Sequence, residues 1–228
     1  MCERILIVDA SLDHTAYWPV QQWIPYLGGA PADAVHLPST SAVPSLSRYT
    51  HILLTGSEAT FEEPAPWFEL EADLVRDAVD RDLAVLGSCF GHQMLVWALS
   101  GPQSVRRAQC PELGWVSIEI LGKDQLLDDL PNPWHAFAFH LDEVIAPPSP
   151  WRVLAKNDAC SVQAIRYGDQ RVWGIQPHPE TDPPEARRLM EMALRQAPDR
   201  AEEIRRAMSQ PVCDDAVTAQ LVDSFLQS

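Results

Sequence analysis

Three short runs of this 228-residue chain, RILIVDA (4–10), THILLTG (50–56) and LAVLGS (83–88), are apolar almost throughout and end in turn residues. A strand with one wet face alternates apolar and polar side chains, so runs without alternation belong to strands covered on both faces, as in a parallel sheet. Parallel neighbours need crossover connections, and the stretches between the runs have helical character. Residues 14–28 carry Trp18, Gln22, Trp23 and Leu27 at helical spacing, with Pro19 and Pro25 making that helix irregular. Residues 66–81 start with proline near the first turn and gather Phe68, Ala72, Val75 and Val79 on one face. Strands and helices in alternation, joined by right-handed crossovers, specify a doubly wound α/β sheet.

Beyond residue 101 the pattern changes. WVSIEIL (115–121), WHAFAFH (134–140), SVQAIRY (161–167) and RVWGIQ (171–176) are closely spaced strands, the last two joined through GDQ as a hairpin. This half is expected to add antiparallel strands to the edge of the same sheet. Residues 184–196 return to helix, and 199–227 hold two further amphipathic segments, one with Val217, Leu221 and Phe225 at four-residue steps. The proline-rich APPSPW (146–151) reads as a loop rather than a domain linker.

The length and a hydrophobic content of 46% suit one large globular domain more readily than two small ones. The start, MCERILIVDA, lacks the basic segment, long apolar core and cleavage site of a secretory signal, so a cytoplasmic enzyme is expected. A formal net charge of −15 repels phosphate backbones and anionic lipid, which argues against nucleic-acid and membrane partners. The cysteines, Cys2, Cys89, Cys110, Cys160 and Cys213, are scattered and never closer than 21 residues, from Cys89 to Cys110. That spacing speaks for reduced thiols rather than a zinc knuckle or a disulfide framework.

Against that background Cys89 stands out. In Gly87-Ser88-Cys89-Phe90-Gly91 an apolar strand turns into an apolar helix, and a sharp turn forces the cysteine into a strained backbone state in which Cβ atoms two residues away on either side crowd it. Glycine at both places relieves the crowding, and the helix N-terminus favours the thiolate. A buried structural cysteine near glycines explains the same residues, and a second cluster decides between the readings. GIQPHPE (174–180) ends an apolar strand with His178 and Glu180 two residues apart, on the same side if the chain stays extended through Pro179. A carboxylate there orients the imidazole while the other ring nitrogen takes the thiol proton. In LLTGS (53–57) a buried strand opens into a glycine turn, which taken alone reads as an ordinary strand end and beside Cys89 offers the Gly56 N–H, together with that of Phe90, for an oxyanion hole.

GSCFGHQ with HPE resembles the triad-type, class I glutamine amidotransferase domain, and TGS (55–57), PW (66–67), PELGW (111–115) and FHLDEV (139–144) fit its GMP-synthase-like branch. The resemblance runs from residue 4 to about 195. It implies a flavodoxin-like fold with the amidotransferase domain over residues 1–198 and a helical extension, 199–228, packed on it. It implies that Cys89, His178 and Glu180 are catalytic and that a glutamine side chain is cut through a thioester without a cofactor or metal. It also implies that Gln93 and the backbone around Phe139, His140 and Asp142 hold the α-amino and α-carboxyl groups, with Trp115 near the pocket. Residues 196–228 are too few for a synthetase region, so ammonia would pass to a separate synthetase chain. The alternative is a stand-alone hydrolase of γ-glutamyl amides or peptides.

Four positions depart from the family pattern. Ser88 stands where an apolar residue is common, Pro177 where phenylalanine is common, Leu141 where glycine is common, and Ser100 in place of the first of a glycine pair. None removes a catalytic group, and Leu141 bears most on the α-group pocket. Three rival readings are weaker. An α/β-hydrolase needs its acid between nucleophile and histidine in chain order. A metal set of His140, Asp142 and His178 lacks ligand spacing. A non-catalytic interaction module leaves the three reactive residues without a purpose.

Overall fold

A computed structural model describes residues 3–228, so Cys2 lies outside the described residues. In chain order the elements are β1 (Ile5–Asp9), α1 (Pro19–Trp23), β2 (Ala32–His36), β3 (His51–Leu54), α2 (Trp67–Asp80), β4 (Ala84–Ser88) and α3 (Phe90–Ser100). There follow β5 (Val105–Ile120), β6 (Trp134–Val144), β7 (Trp151–Lys156), β8 (Ala164–Tyr167), β9 (Val172–Ile175), α4 (Pro183–Gln196), α5 (Ala201–Met208) and α6 (Thr218–Leu226). Among the described residues the strands form one nine-stranded sheet in the order β2-β1-β3-β4-β9-β8-β7-β5-β6. The pairs from β2 to β9 are parallel, and those from β9 to β6 are antiparallel. The order β2-β1-β3-β4 is that of a flavodoxin-like sheet, and the antiparallel strands extend it at one edge.

Period-two alternation assigns the two faces of the parallel strands. Leu6 and Val8 face Phe68, Val75 and Leu95 of α2 and α3, whereas Ile5 and Ile7 join Trp23 of α1 and Leu221 and Phe225 of α6. A third apolar cluster packs Ala186, Met190, Ile204 and Ala207 of α4 and α5 against Phe137 of β6.

Several elements depart from expectation. The helix over 14–28 shrinks to α1 and a 3-10 turn, Ile24–Tyr26, because Pro19 can only open a helix and Pro25 lacks the N–H to continue one. The strand expected over 115–121 is the second half of β5, whose pairing with β6 shifts register between Arg107 and Glu112 and so hides the period. The strands β2 and β7 have no counterpart among the expected elements, and Trp151, assigned to the proline loop, opens β7. In α2, Phe68, Ala72 and Val75 are buried as expected, but Val79 is only half-buried, and the acidic Glu71 is buried instead.

Candidate functional site

Cys89 occupies the step from β4 to α3 with φ 50° and ψ −105°, a left-handed state that costs an L-residue on the order of 1–3 kcal/mol. Three bonds hold the turn. The Cys89 N–H donates to the Ile175 carbonyl at 2.8 Å and the Gly91 N–H to the Thr55 carbonyl at 3.0 Å. The Ser88 hydroxyl donates to the Pro177 carbonyl at 3.3 Å, so two residues that depart from the family pattern meet each other between β4 and the histidine loop. A Cβ on Gly87 would come within 2.5 Å of the Gly91 backbone, which is the crowding expected. Gly91 is bare for a different reason: its Cβ would lie 2.6 Å from Leu54, so it lets α3 pass against β3.

His178 is fixed by its own backbone, whose N–H donates to the Phe137 carbonyl at 2.7 Å. Its Nδ1 lies 2.9 Å from Oε1 of Glu180, which leaves Nε2 for the cysteine side; the pair meets through a turn and not through extended chain, since the Thr181 N–H donates to the His178 carbonyl at 3.2 Å across Pro179 and Glu180. Burial works against a charged ring here. The Cys89 sulfur and the Glu180 carboxylate outweigh it, through charge and hydrogen bonding, and raise His178 from 6.5 to about 10. Glu180 is buried, and its Oε2 finds no partner among the described residues.

The residues expected around this centre come together except Trp115, which packs edge-on against Phe137 and borders a separate hollow beside Glu203 and Ala207. Phe90 is the first residue of α3, where the helix leaves its N–H free. Gly56 lies against the base, since a Cβ there would sit 2.7 Å from Cε1 of His178. The Cys89 sulfur is 3.9 Å from the Phe139 carbonyl. Gln93 Nε2 donates to the Asp142 carbonyl at 2.7 Å and to Gln176 at 3.1 Å. Oδ2 of Asp142 accepts from the Thr60 hydroxyl at 2.9 Å and the Phe61 N–H at 3.0 Å. Its buried Oδ1 has no hydrogen-bond partner and faces Arg107 at 3.5 Å. Cys89, Gln93, Phe139, His140, Leu141, Asp142 and His178 all border one cavity of about 310 Å³. The His140 ring is engaged elsewhere, 2.9 Å from Glu112 Oε2 and 2.9 Å from the Asp142 carbonyl, so it braces the wall from behind.

Tyr17 joins the site without any signal in the sequence. Its hydroxyl lies 3.4 Å from both Oε1 of Glu180 and Nδ1 of His178. Burial, then the charge of Glu180, pushes the phenol well above 10, so it keeps its proton and acts as a donor. No local motif marks it, because the contact spans 161 residues. Glu112, which lies in the PELGW landmark without a role assigned from sequence, gathers His140, Asn157 and Gln163. Among the described residues, the His, Cys and acidic groups close enough to share a metal ion are Asp9, His14 and His36, and Glu112, His140 and Cys160. His140, Asp142 and His178 do not form such a group.

A flavodoxin-like sheet with a cysteine at a strand-to-helix elbow, faced by a histidine and a carboxylate across the ends of β3, β4 and β9, defines a class of α/β proteins. A family model described as glutamine amidotransferase class-I matches residues 29–196. A subunit of the glutamine-hydrolyzing GMP synthase of Sulfolobus acidocaldarius is 31% identical over 155 residues, covering 68% of this chain and 78% of that one. Its counterpart in Saccharolobus solfataricus is 31% identical over 157 residues, covering 69% and 79%. Among solved structures, a glutamine amidotransferase from Thermotoga maritima superposes with a TM-score of 0.78 at 20% identity, covering 100% of this chain and 97% of that one. One from Methylobacillus flagellatus gives 0.72 at 20% identity, covering 99% and 92%. The chain belongs to the class-I glutamine amidotransferase family, and within it is similar to these archaeal GMP synthase subunits. No helix among the described residues is long and apolar enough to cross a membrane.

Proposed function

We propose that the protein hydrolyses the side-chain amide of glutamine through a thioester on Cys89, in the cytoplasm, and releases ammonia for a separate synthetase or acceptor chain. One observation supports the reading: the bond from His178 Nδ1 to Glu180 leaves the other imidazole nitrogen for Cys89, whose sulfur raises the ring's hold on its proton. Cys89 attacks the amide carbon and His178 takes the thiol proton, then delivers it to the departing nitrogen, which leaves poorly without it. The N–H groups of Gly56 and Phe90 stabilise the oxyanion. Gln93, the backbone of Phe139 and His140, and Asp142 hold the amino-acid end, with Oδ1 of Asp142, which makes no hydrogen bond and faces Arg107, taking the α-ammonium. Water on the same base then frees glutamate, so side chains and water suffice for every step. The relatives from Sulfolobus acidocaldarius and Saccharolobus solfataricus are subunits of glutamine-hydrolyzing GMP synthases, which supports glutamine as substrate and a separate chain in the role of acceptor.

The test follows glutamate release from L-glutamine by the purified full chain. Cys89→Ala is expected to lower kcat by about 10⁴-fold or more, as removal of a covalent nucleophile does. Substantial turnover by Cys89→Ala would overturn the reading.

A further inference from the structure

The carboxyl ends of β1 and β2 gather a buried carboxylate and two imidazoles. Asp9 closes β1 and is buried, and the parallel register places it opposite His36, the half-buried last residue of β2. His14 stands exposed on the loop between β1 and α1. Each residue offers one ligand atom, and the three atoms lie within 4.8 Å of one another. Nε2 of His14 is 2.8 Å from Oδ2 of Asp9, and the two imidazole rings stand 4.5 Å apart. One imidazole is enough to partner the carboxylate, so an ion pair leaves the second unexplained. All three side chains are held from behind. The Ser11 N–H and hydroxyl donate to Oδ1 of Asp9 at 3.0 and 2.6 Å, which turns Oδ2 toward His14. Trp18 stacks on the His14 ring at 5.3 Å. The Ser39 hydroxyl lies 2.8 Å from Nδ1 of His36, and Nε2 is 2.8 Å from the Ser11 carbonyl. Metal sites orient histidine and carboxylate ligands through outer contacts of this kind.

We propose that Oδ2 of Asp9 and the Nε2 atoms of His14 and His36 bind a Zn²⁺ ion. Two imidazole nitrogens and one carboxylate oxygen suit Zn²⁺, whereas Ca²⁺ and Mg²⁺ take oxygen ligands. At bonds of about 2.0–2.1 Å, the ligands of a tetrahedral ion stand about 3.3 Å apart. The 2.8 Å pair therefore has only to open slightly, and His14 has the exposure to do so. Water or the Ser11 carbonyl fills the fourth position. The other group of this kind, Glu112, His140 and Cys160, is buried throughout, and its carboxylate is already shared among His140, Asn157 and Gln163. Asp9, His14 and His36 do not border the Cys89 cavity, so the ion stands apart from amide cleavage and the inference is independent of the reaction assigned to Cys89. Its place in the fold is structural. The ion joins the ends of β1 and β2 to the loop that leads to Tyr17. The same loop is fastened to the residues after Gly56, by the Ser57 hydroxyl donating to the Ala10 carbonyl at 2.6 Å and the Leu12 N–H to Glu58 at 2.8 Å.

The test titrates the full-length, tag-free protein with ZnCl₂ by calorimetry, after iodoacetamide has blocked the accessible thiols so that they cannot compete for the ion. One equivalent should bind with a Kd of about 10 μM or tighter. His14→Gln and His36→Gln should each weaken binding by at least about 100-fold, and either one suffices if the other fails to fold. Ser39→Ala, which touches no ligand atom but frees the His36 ring, should cost about tenfold. His135→Gln, at a surface histidine that pairs with Asp215 at 3.0 Å, should leave the affinity unchanged. Co²⁺ in place of Zn²⁺ should give the strong visible absorption of a four-coordinate ion, lost in the same two histidine variants. Binding weaker than about 10 μM, binding that both histidine variants leave within about threefold, or an equal loss on His135→Gln would overturn the site.

Discussion

At the scale of single residues, the site divides into groups that sequence marks and groups that only the fold assembles. Cys89 and the His178–Glu180 pair are marked because each sits at the end of an apolar strand, where the chain turns and short-range spacing fixes its geometry. Tyr17 has no such signature. It precedes α1 in an irregular stretch, yet its hydroxyl reaches the shared edge of Glu180 and His178. Since Tyr17 keeps its proton, it donates to the carboxylate and limits how far Glu180 can swing from the ring. Its hydroxyl acts on Glu180 and His178, which makes it a positioning residue. Tyr17→Phe keeps the ring packed edge-on to His178 at 6.0 Å while deleting the donor. A net hydrogen bond is worth about 0.5–1.5 kcal/mol, so kcat should fall about two- to tenfold with KM little changed. Steady-state kinetics on glutamine check this split; a raised KM at constant kcat would count against the positioning role.

At the scale of elements, legibility follows burial. The central strands β1, β3 and β4 are covered on both faces and announce themselves as apolar runs, whereas β2 pairs only with β1 at the sheet's edge and keeps no residue fully buried. Its sequence, ADAVH, has little apolar content to read. The helix α2 shows the converse, a polar residue where the pattern expects none. Glu71 is fully buried with neither carboxyl oxygen partnered among the described residues. Burial, reinforced by the charge of Asp9, raises its carboxyl well above the ordinary 4.5. The native state therefore holds a proton that the unfolded chain sheds, and this contribution to stability erodes as pH climbs above about 4.5. Glu71→Met removes both unpartnered oxygens at similar volume and suits a helix. It should stabilise the protein by about 1–3 kcal/mol at neutral pH. Urea unfolding at pH 5 and pH 7 checks this; the gain should be larger at pH 7, and a gain independent of pH would rule out the charging argument.

At the scale of the whole molecule, the question is whether residues 199–228 are an accessory or part of the domain that carries the site. The amphipathic stripe of the tail is legible, but what it covers is not, because periodicity gives a face and no partner. In the fold, α6 closes one side of the sheet, with Leu221, Val222 and Phe225 buried in the cluster that holds Ile5, Ile7 and Trp23. The Phe225 ring stands edge-on to His51 of β3 at 5.0 Å. Thr218, the first residue of α6, donates its hydroxyl to the carbonyl of Pro179, the residue between His178 and Glu180. The tail thus packs under the central strands and braces the histidine loop, so we propose that it forms a single cooperative unit with residues 1–198. Phe225→Ala should then cost about 3–5 kcal/mol, as a large core truncation does. It should also shift one common unfolding transition rather than create a second. Denaturant curves followed by far-UV circular dichroism and by tryptophan fluorescence check this, since Trp23 reports on the shared core. A loss below about 1 kcal/mol, or a separate early transition, would mean that the tail folds apart from the domain.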